Sequence, residues 1–500
     1  MEKTLSSEDF VKDLIDYLPS QICPTIVGFI SIPIITRIFP PHLYGLYSLV
    51  IPVISILTTL FDWLPMSINR FHAIYDKDKN IPYFYGNILK LSFISLAVEI
   101  VVFFVFVLIL KNSISSELNV LLDIGAVVFV AQALFRLLLS VLRMKREVRW
   151  YSAFDVWRSI TSFVLGLILV IAFNLGVKGL LWGIVLSIAL ALPFLWIKTV
   201  GGLKFLKHKI NFGLTKEMAL FSFPLVAGNI AAWVLNLSHR YILDYLSGTH
   251  DVGIYSVSYN IASHTIMALI TMFNVASGPI SYIIWEKDGE IKSKLYCTDM
   301  ARYYLMACIP AVVGLSVLSA PIMHFMASHQ YLEGHRAIPF VAAGFFFLGF
   351  QSLYIPGFTY YKHTVFIPSA IACAGLSNIL LNYLFVPKYG YMAAAVNTLI
   401  SYAFLSLLMI IGSRRMFVWD FPFRTLTNSC CASGIMGVIA YFIGNGLTGK
   451  TWINLILAII SGIIIYPLLL FLLKEIKENE KEALKRVLSK SMNYLGFEKV

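Results

Sequence analysis

Apolar runs of about 20 residues recur along the whole chain, and they limit its possible folds more than any other feature. A helix needs roughly 20 apolar residues to cross a bilayer core, because lipid offers no hydrogen-bond partners to an open backbone. A transmembrane barrel would instead show segments of about ten residues that alternate in polarity. The runs therefore predict an all-α polytopic membrane protein with about fourteen spans. These lie near 14–36, 44–68, 87–110, 119–142, 152–174, 178–199, 218–246, 252–284, 300–322, 337–360, 364–386, 390–412, 425–445 and 451–473.

Composition agrees with this interpretation and excludes several classes of protein. Only 13% of the 500 residues are charged, whereas about a quarter of a soluble globular chain is charged. The loops are too short for a soluble catalytic domain, and no Gly-x-x-x-x-Gly-Lys-Ser/Thr phosphate loop occurs. The six cysteines lack the spacing of a zinc site or a disulfide framework. We therefore expect neither enzymatic activity nor a cofactor or metal.

Lysine and arginine are distributed unevenly between the two ends of the spans. With a cytoplasmic N-terminus, 29 of the 39 fall on the cytoplasmic side, seven outside and three within helices. Cationic loops resist translocation, so this bias predicts cytoplasmic N- and C-termini. It also explains the net charge of +12 without nucleic acid.

The first 20 residues are mixed in charge and lack a small-residue cleavage site, so we expect no cleavable signal peptide.

Two pairs of segments indicate an internal duplication. HLYGLYSLVIPVIS (42–55) and HDVGIYSVSYNIAS (250–263) share His, Gly, Tyr and two Ser at an offset of 208, which is 250 minus 42. A weaker match pairs 179–187 with 390–398, at an offset of 211 (390 minus 179). Six helices return the chain to its starting side, so the halves are parallel copies, as in transporters that rock two bundles about a central site.

The duplication divides the chain into five predicted regions. The two additional spans and the tail fall outside the repeat. The regions are an N-terminal six-helix bundle (1–200), a cytoplasmic linker (201–217), a C-terminal six-helix bundle (218–413), two additional spans (414–473) and a cytoplasmic tail (474–500).

Several stretches resemble one family of membrane proteins. TRIFPPHLYGLYSLV (36–50) and FDWLPMSINRFHAIYDKDK (61–79) resemble the opening of the polysaccharide-biosynthesis proteins, the oligosaccharide flippase family. Residues 223–263 and 273–289 resemble its seventh and eighth helices. Where members of the family usually have Asp-Arg-Tyr, this chain has His-Arg-Tyr at 239–241, so the carboxylate that would pair with Arg240 is missing.

The resemblance implies both a fold and a function. The family belongs to the group of multidrug, oligosaccharidyl-lipid and polysaccharide exporters, whose two six-helix bundles form a V around a cationic cavity. It implies that the chain flips a polyprenyl-diphosphate-linked oligosaccharide by alternating access, for export of lipopolysaccharide, O-antigen or capsule. The implied partners are this lipid-linked saccharide, membrane lipid and either H⁺ or Na⁺. We expect a monomer in the cytoplasmic (inner) membrane, working beside glycosyltransferases and a polymerase.

Four arginines are candidate ligands of an anionic head group. Charge inside an apolar span is costly, and a guanidinium matches the geometry of phosphate oxygens. The candidates are Arg37 and Arg240 near the outer ends of helices one and seven, Arg136 within helix four, and Arg70 at the inner end of helix two. The alternative roles are anchoring at the membrane interface for Arg37 and Arg240, snorkelling for Arg136 and topology alone for Arg70.

Two carboxylates and two amides complete the predicted site. Asp62 and Glu99 have no cation within four residues, so each either carries a coupling ion or forms an interhelical hydrogen bond. Asn229 and Asn274 either contact sugar hydroxyls or hold helices together. Asp155 and Arg158, three residues apart, predict an ion pair within one helix.

Three other functions remain as alternatives to a flippase. A drug/cation antiporter would share the architecture, but we expect it to have acids rather than arginines in its cavity. A membrane-embedded saccharide polymerase or ligase would need a large outer loop, and the outer loops here are short. A scaffold that transports nothing would leave the polar intramembrane residues without a purpose.

Overall fold

The computed structural model describes residues 7–78, 80–111, 114–201, 210–446, 451–478, 480 and 482. Within these ranges, twelve helices are long and apolar enough to cross a membrane. Two of them, Thr249–Val317 and Phe366–Arg414, contain a residue with non-helical backbone angles. Each of these two therefore consists of two spans, which gives fourteen. This is a multi-pass α-helical membrane protein, and the predicted fold class is confirmed.

Glycine accounts for both interruptions. Gly289 has φ of 82° and Gly390 has φ of 52°, in the left-handed region that residues with a Cβ rarely adopt. Gly176, before the sixth span, has nearly the same angles (φ 57°, ψ −145°) as Gly390 (φ 52°, ψ −138°). The connections between spans five and six and between spans eleven and twelve therefore turn in the same way. This similarity is what a duplicated six-helix unit requires.

The spans are numbered in chain order. They are α1 (Asp16–Ile38), α2 (Pro41–Lys77), α3 (Ile81–Leu110), α4 (Ser116–Met144), α5 (Val148–Ile171), α6 (Val177–Thr199), α7 (Phe212–Ser247), α8 (249–288), α9 (290–317), α10 (Ile338–Tyr360), α11 (366–389), α12 (391–414), α13 (Phe423–Gly446) and α14 (Thr451–Leu472). A short helix, Ser319–Met326, and a 3₁₀ segment, His329–Arg336, connect α9 to α10.

The fourteen spans form two six-helix halves, α1–α6 and α7–α12, followed by α13 and α14. We call the face at which α1 begins the near face and the face at which α1 ends the far face. Odd-numbered spans run from near to far and even-numbered spans return. The predicted linker 201–217 lies partly, and the predicted tail 474–500 largely, outside the described residues, so the region boundaries stay predictions.

Two long spans are interrupted where polar residues occur. The turn at Asp62 divides α2 into Pro41–Phe61 and Trp63–Lys77, and Ser238 divides α7 into Phe212–Leu237 and His239–Ser247. The span α2 ends at Lys77, nine residues after the predicted end at 68, and α7 begins at Phe212, six residues before the predicted start at 218. Their polar ends project past the apolar run, and hydropathy does not detect such ends.

The last two spans are attached to α9 of the C-terminal half. Tyr466 of α14 donates to the carbonyl of Met306 at 2.8 Å. At the near face the buried guanidinium of Arg302 lies 3.5 Å from Glu475 and 3.1 Å from Glu480. Burial alone would raise the pKa of Glu480, but hydrogen bonds from the Lys477 amide, Arg302 and Tyr303 lower it overall. Because removing one partner from a buried pair costs about 3–5 kcal/mol, this ion cluster fixes α14 firmly to α9.

Candidate translocation site

A reciprocal crossing of α2 and α8 closes the two halves at the far face. A Cβ on Gly45 would overlap the backbone carbonyl of Thr249, and one on Gly253 would overlap the carbonyl of Pro41. The two glycines are 208 residues apart (253 minus 45), and so are Pro41 and Thr249 (249 minus 41). The contacts are therefore equivalent under the duplication, which confirms the stronger of the two sequence matches. Only glycine permits backbones to approach this closely.

Hydrogen bonds between the halves surround this crossing. Tyr331 donates to the carbonyl of Phe39 at 2.8 Å, and the Asn260 amide donates to the Tyr44 hydroxyl at 2.9 Å. Arg37, exposed at the end of α1, donates to the carbonyl of Phe325 at 3.0 Å. The structure thus places Arg37 between the halves at the far face, where it caps the end of the short helix that follows α9.

Arg240 lies immediately inside the far-face crossing. Its side chain is buried, its Nη1 donates to the carbonyl of Ser48 on α2 at 3.3 Å, and its guanidinium lies 5.3 Å from the ring centroid of Tyr259. Its Nε is buried and has no hydrogen-bond partner among the described residues. A buried guanidinium with an unused donor is costly, so this site has capacity for a further acceptor.

His239 is a site residue that the sequence did not predict. It is fully buried between the rings of Tyr255 and Tyr259, at centroid distances of 5.1 and 5.5 Å. Within the described structure neither ring nitrogen has a hydrogen-bond partner. The departure from Asp-Arg-Tyr at 239–241 was the signal that could have identified it.

The spans α2 and α7 are in contact from the far face to the near face. Tyr241 donates to the carbonyl of Leu49 at 2.9 Å, and the Ser67 and Ser222 hydroxyls lie 2.9 Å apart. Arg70 lies nearer still to the near face, with its guanidinium 5.9 Å from the ring centroid of Phe221. The structure therefore places Arg70 on the boundary between the two halves.

The spans α1 and α8 form the second boundary between the halves. Gly28 of α1 packs against the ring of His264 on α8, where a Cβ would be 2.9 Å from the ring. Closer to the near face, α1 and α8 carry exposed apolar side chains. They include Ile22, Ile26, Met272 and Val275.

Asp62, Arg136 and Glu99 come together within the N-terminal half. Arg136 of α4 lies 2.7 Å from Asp62 of α2, whose side chain is only 10% exposed. Ser95 donates to Glu99 at 2.8 Å and accepts from Trp63, next to Asp62, at 3.2 Å. Asp62 Oδ1 and Glu99 Oε2 are buried without a hydrogen-bond partner in the described structure. The predicted head-group ligand and the predicted ion-coupling residues thus form one site.

Arg136 is half-exposed within its span. Its side chain is 49% exposed, although its neighbours Phe135 and Leu137 are buried. A charged group at this depth needs water or a counter-ion. We therefore expect water or an anionic group beside the exposed part of the Arg136 side chain.

The asparagines within the spans fall into two classes. Asn229 of α7 and Asn274 of α8 are exposed within their spans. Asn378, Asn382 and Asn397 are buried and bonded to one another: Asn382 donates to Asn378 at 2.9 Å, and Asn397 donates to Asn382 at 3.3 Å. This buried set holds α11 and α12 together, as expected for interhelical amides.

Among the described residues, no group of three or more His, Cys, Asp or Glu side chains could hold a metal ion.

Comparison with known proteins assigns the chain to a family. The family model described as "Polysaccharide biosynthesis protein" matches residues 10–283, which is more than half of the chain. This chain belongs to the polysaccharide biosynthesis protein family. The uncharacterized membrane protein MJ1068 of Methanocaldococcus jannaschii is 27% identical over 267 residues, which are half of each chain. The probable flippase AglR of Haloferax volcanii is 23% identical over 381 residues, 73% of this chain and 75% of that protein.

Solved structures share the fold of this family member. The lipid II flippase MurJ, in an inward closed conformation, has a TM-score of 0.74 at 18% identity, covering 92% of this chain and 98% of MurJ. An inward-facing multidrug resistance MATE transporter has a TM-score of 0.66 at 14% identity, covering 80% of this chain and 97% of that one. The V-shaped arrangement of two helical bundles is therefore the fold of this chain.

Proposed function

We propose that this protein is a flippase that moves a polyprenyl-diphosphate-linked saccharide across the membrane by alternating access. The observation that carries the proposal is a series of guanidiniums along α2, the span in contact with the opposite half. Arg240 binds α2 at Ser48, Arg136 binds it at Asp62, and Arg70 belongs to it. At 1.5 Å per helical residue, these positions are about 21 Å and 12 Å apart, so the cations are distributed across most of a bilayer core.

This α2 arginine series suits an anionic head group attached to an apolar tail. A diphosphate accepts hydrogen bonds from successive guanidiniums as it moves from one face to the other. The exposed apolar side chains of α1 and α8 near the near face provide a lipid-compatible entrance for the polyprenyl chain. Only the head group then needs to cross inside protein, and the exposed Asn229 and Asn274 offer amides to its sugars.

Two relatives support the proposal. MurJ is named as a lipid II flippase and AglR as a probable flippase. The chain spans half the length of the M. jannaschii relative and three quarters of AglR. The activity and substrate therefore rest on the arrangement of the arginines rather than on a relative's name.

The near face is proposed to be cytoplasmic. The bias of 29 to 7 in lysine and arginine supports this orientation. Single cysteines at Arg415, beyond α12, and at Lys450, which lies outside the described residues, test it in a cysteine-free background. A membrane-impermeant maleimide applied to cells should label position 450 and spare position 415. The reverse pattern would place the termini outside.

Reconstitution in liposomes tests the transport function against its main alternative. The fold is shared with a multidrug MATE transporter, so a drug/cation antiporter is the second candidate. We expect the purified protein to flip a fluorescent polyprenyl-diphosphate saccharide and to leave an organic cation such as ethidium inside the vesicle. Ethidium efflux without lipid flipping would replace the proposed function with the alternative, and formation of a glycosidic bond would indicate an enzyme.

A further inference from the structure

The Asp62–Arg136 pair presents an arrangement that a simple phosphate-binding arginine would not need. Arg136 is already neutralised by a carboxylate 2.7 Å away, so an incoming phosphate must compete with Asp62 for the guanidinium. The two groups differ in accessibility. The side chain of Arg136 is 49% exposed, whereas that of Asp62 is 10% exposed. The anion can therefore reach the guanidinium, while the displaced carboxylate stays buried.

A displaced Asp62 would have few ways to remain charged. Its Oδ1 has no hydrogen-bond partner within the described structure, and Oδ2 would lose its partner when Arg136 turns to the anion. Among the described residues, the ionisable groups around Asp62 are Arg136 on α4 and Glu99, which is joined to α2 through Ser95 and Trp63. From the opposite half, α7 contributes the apolar ring of Phe223, stacked on Trp63 at 5.6 Å. Burying an unpaired carboxylate beside a second carboxylate is so costly that such a group binds a proton instead.

We propose that Arg136 exchanges Asp62 for the anionic head group, and that Asp62 takes up one proton from water when this happens. The proposal rests on the proposed function and names its coupling ion and the residue that carries it. The proton adds to an Asp62 oxygen as the Asp62–Arg136 ion pair breaks and the phosphate–Arg136 pair forms. When the head group leaves, Asp62 returns the proton to water and pairs with Arg136 again. The proton and the head group therefore cross together. Each turnover then moves one negative charge fewer than transport of the head group alone would.

Proton uptake on binding provides the test. Purified protein in detergent is titrated with farnesyl diphosphate in buffers of different ionisation enthalpy, between pH 6 and 8.5. Asp62→Asn removes the titrating group, so the difference between wild type and variant excludes the probe's own titration. We expect the wild type to take up about one proton more per probe bound. The affinity of the wild type for the probe should fall about tenfold more per pH unit than the affinity of Asp62→Asn. At pH 8, Asp62→Asn should bind the probe more tightly than the wild type, because the carboxylate that competes for Arg136 is gone.

Two control variants locate the effect. Asp155→Asn breaks another aspartate–arginine pair of the same half, Asp155–Arg158 at 2.8 Å, and should leave the proton uptake of the wild type unchanged. Glu99→Gln removes the carboxylate next to Asp62 and shows whether the proton is taken up by Glu99 instead. Loss of the uptake in Glu99→Gln but not in Asp62→Asn would overturn the assignment to Asp62.

The experiment separates failure of this inference from failure of the proposed function. If the wild type binds the probe with the same proton uptake and pH dependence as Asp62→Asn, proton exchange at Arg136 is wrong and the flippase proposal stands. If the wild type does not bind a diphosphate lipid at any pH, both proposals are wrong.

Discussion

Gly253→Ala is expected to reduce lipid flipping by a factor of roughly 5 to 150 without preventing membrane insertion. The new methyl group would overlap the carbonyl of Pro41, so α2 and α8 would have to separate at the far face. Overpacking of this kind costs about 1–3 kcal/mol, which changes the equilibrium between far-closed and far-open states by a factor of roughly 5 to 150. A carrier held open at one face cannot complete its cycle. Flipping in liposomes measures the loss.

Two matched variants and one accessibility measurement show whether the crossing is the cause. Gly45→Ala should have the same effect, because its methyl group would overlap the carbonyl of Thr249. Gly434→Ala in α13 should transport normally, since nothing lies within 4 Å of the added carbon. A cysteine at the buried Ser48 should react faster with an impermeant maleimide in Gly253→Ala than in the parent. Unchanged flipping and unchanged labelling would contradict a closing role for this crossing.

Arg240→Ala is expected to abolish flipping while the amount of protein in the membrane stays normal. The guanidinium is buried, holds Ser48 through one nitrogen and has its Nε unused, so it can bind a phosphate when the far face opens. A hydrogen bond to a charged group contributes about 1.5–3 kcal/mol, which corresponds to a roughly ten- to hundredfold loss of head-group affinity. Arg240→Lys should retain part of the activity, because an ammonium keeps the charge but lacks the planar guanidinium that stacks on Tyr259.

Binding distinguishes a head-group ligand from a residue that only holds the far face closed. If Arg240 only closed the far face, Arg240→Ala would behave like Gly253→Ala, with faster labelling at position 48 and unchanged affinity for farnesyl diphosphate. Weaker binding of the probe supports contact with the head group. Arg37→Ala is the comparison variant. Arg37 is exposed, and within the described part of the chain it donates only to the carbonyls of Pro33 and Phe325, so we expect a smaller loss. Wild-type flipping in Arg240→Ala would refute its assignment.

Pairs within one helix could be predicted from sequence, and pairs between helices could not. Asp155 and Arg158 are three residues apart, and their predicted ion pair is confirmed at 2.8 Å. Asp62 and Arg136 are 74 residues apart on different spans, so a search within four residues found no partner for either. From the sequence, Arg136 was therefore predicted to bind the head group and Asp62 to carry the coupling ion, although the structure joins the two residues in one site.

The internal repeat gave more information about the site than the positions of single charged residues did. The offset of 208 came from a few identical residues, and the structure shows why two of them are glycines: Gly45 and Gly253 meet across the boundary between the halves. The sequence did not predict the burial of His239. Its burial between two tyrosine rings depends on α8 packing over the break in α7.

The sequence alone determined that the chain crosses a membrane about fourteen times and that its first twelve spans form two parallel copies. The spans could be found because the free energy of a helix in lipid is set by its own residues. The duplication could be found by comparing two segments of the sequence with each other. Only the tertiary structure decided which spans meet, that Arg136 is paired with Asp62, and that glycines close the far face. The side chains concerned are separated by many residues in the chain, so their distances depend on how whole helices pack against each other.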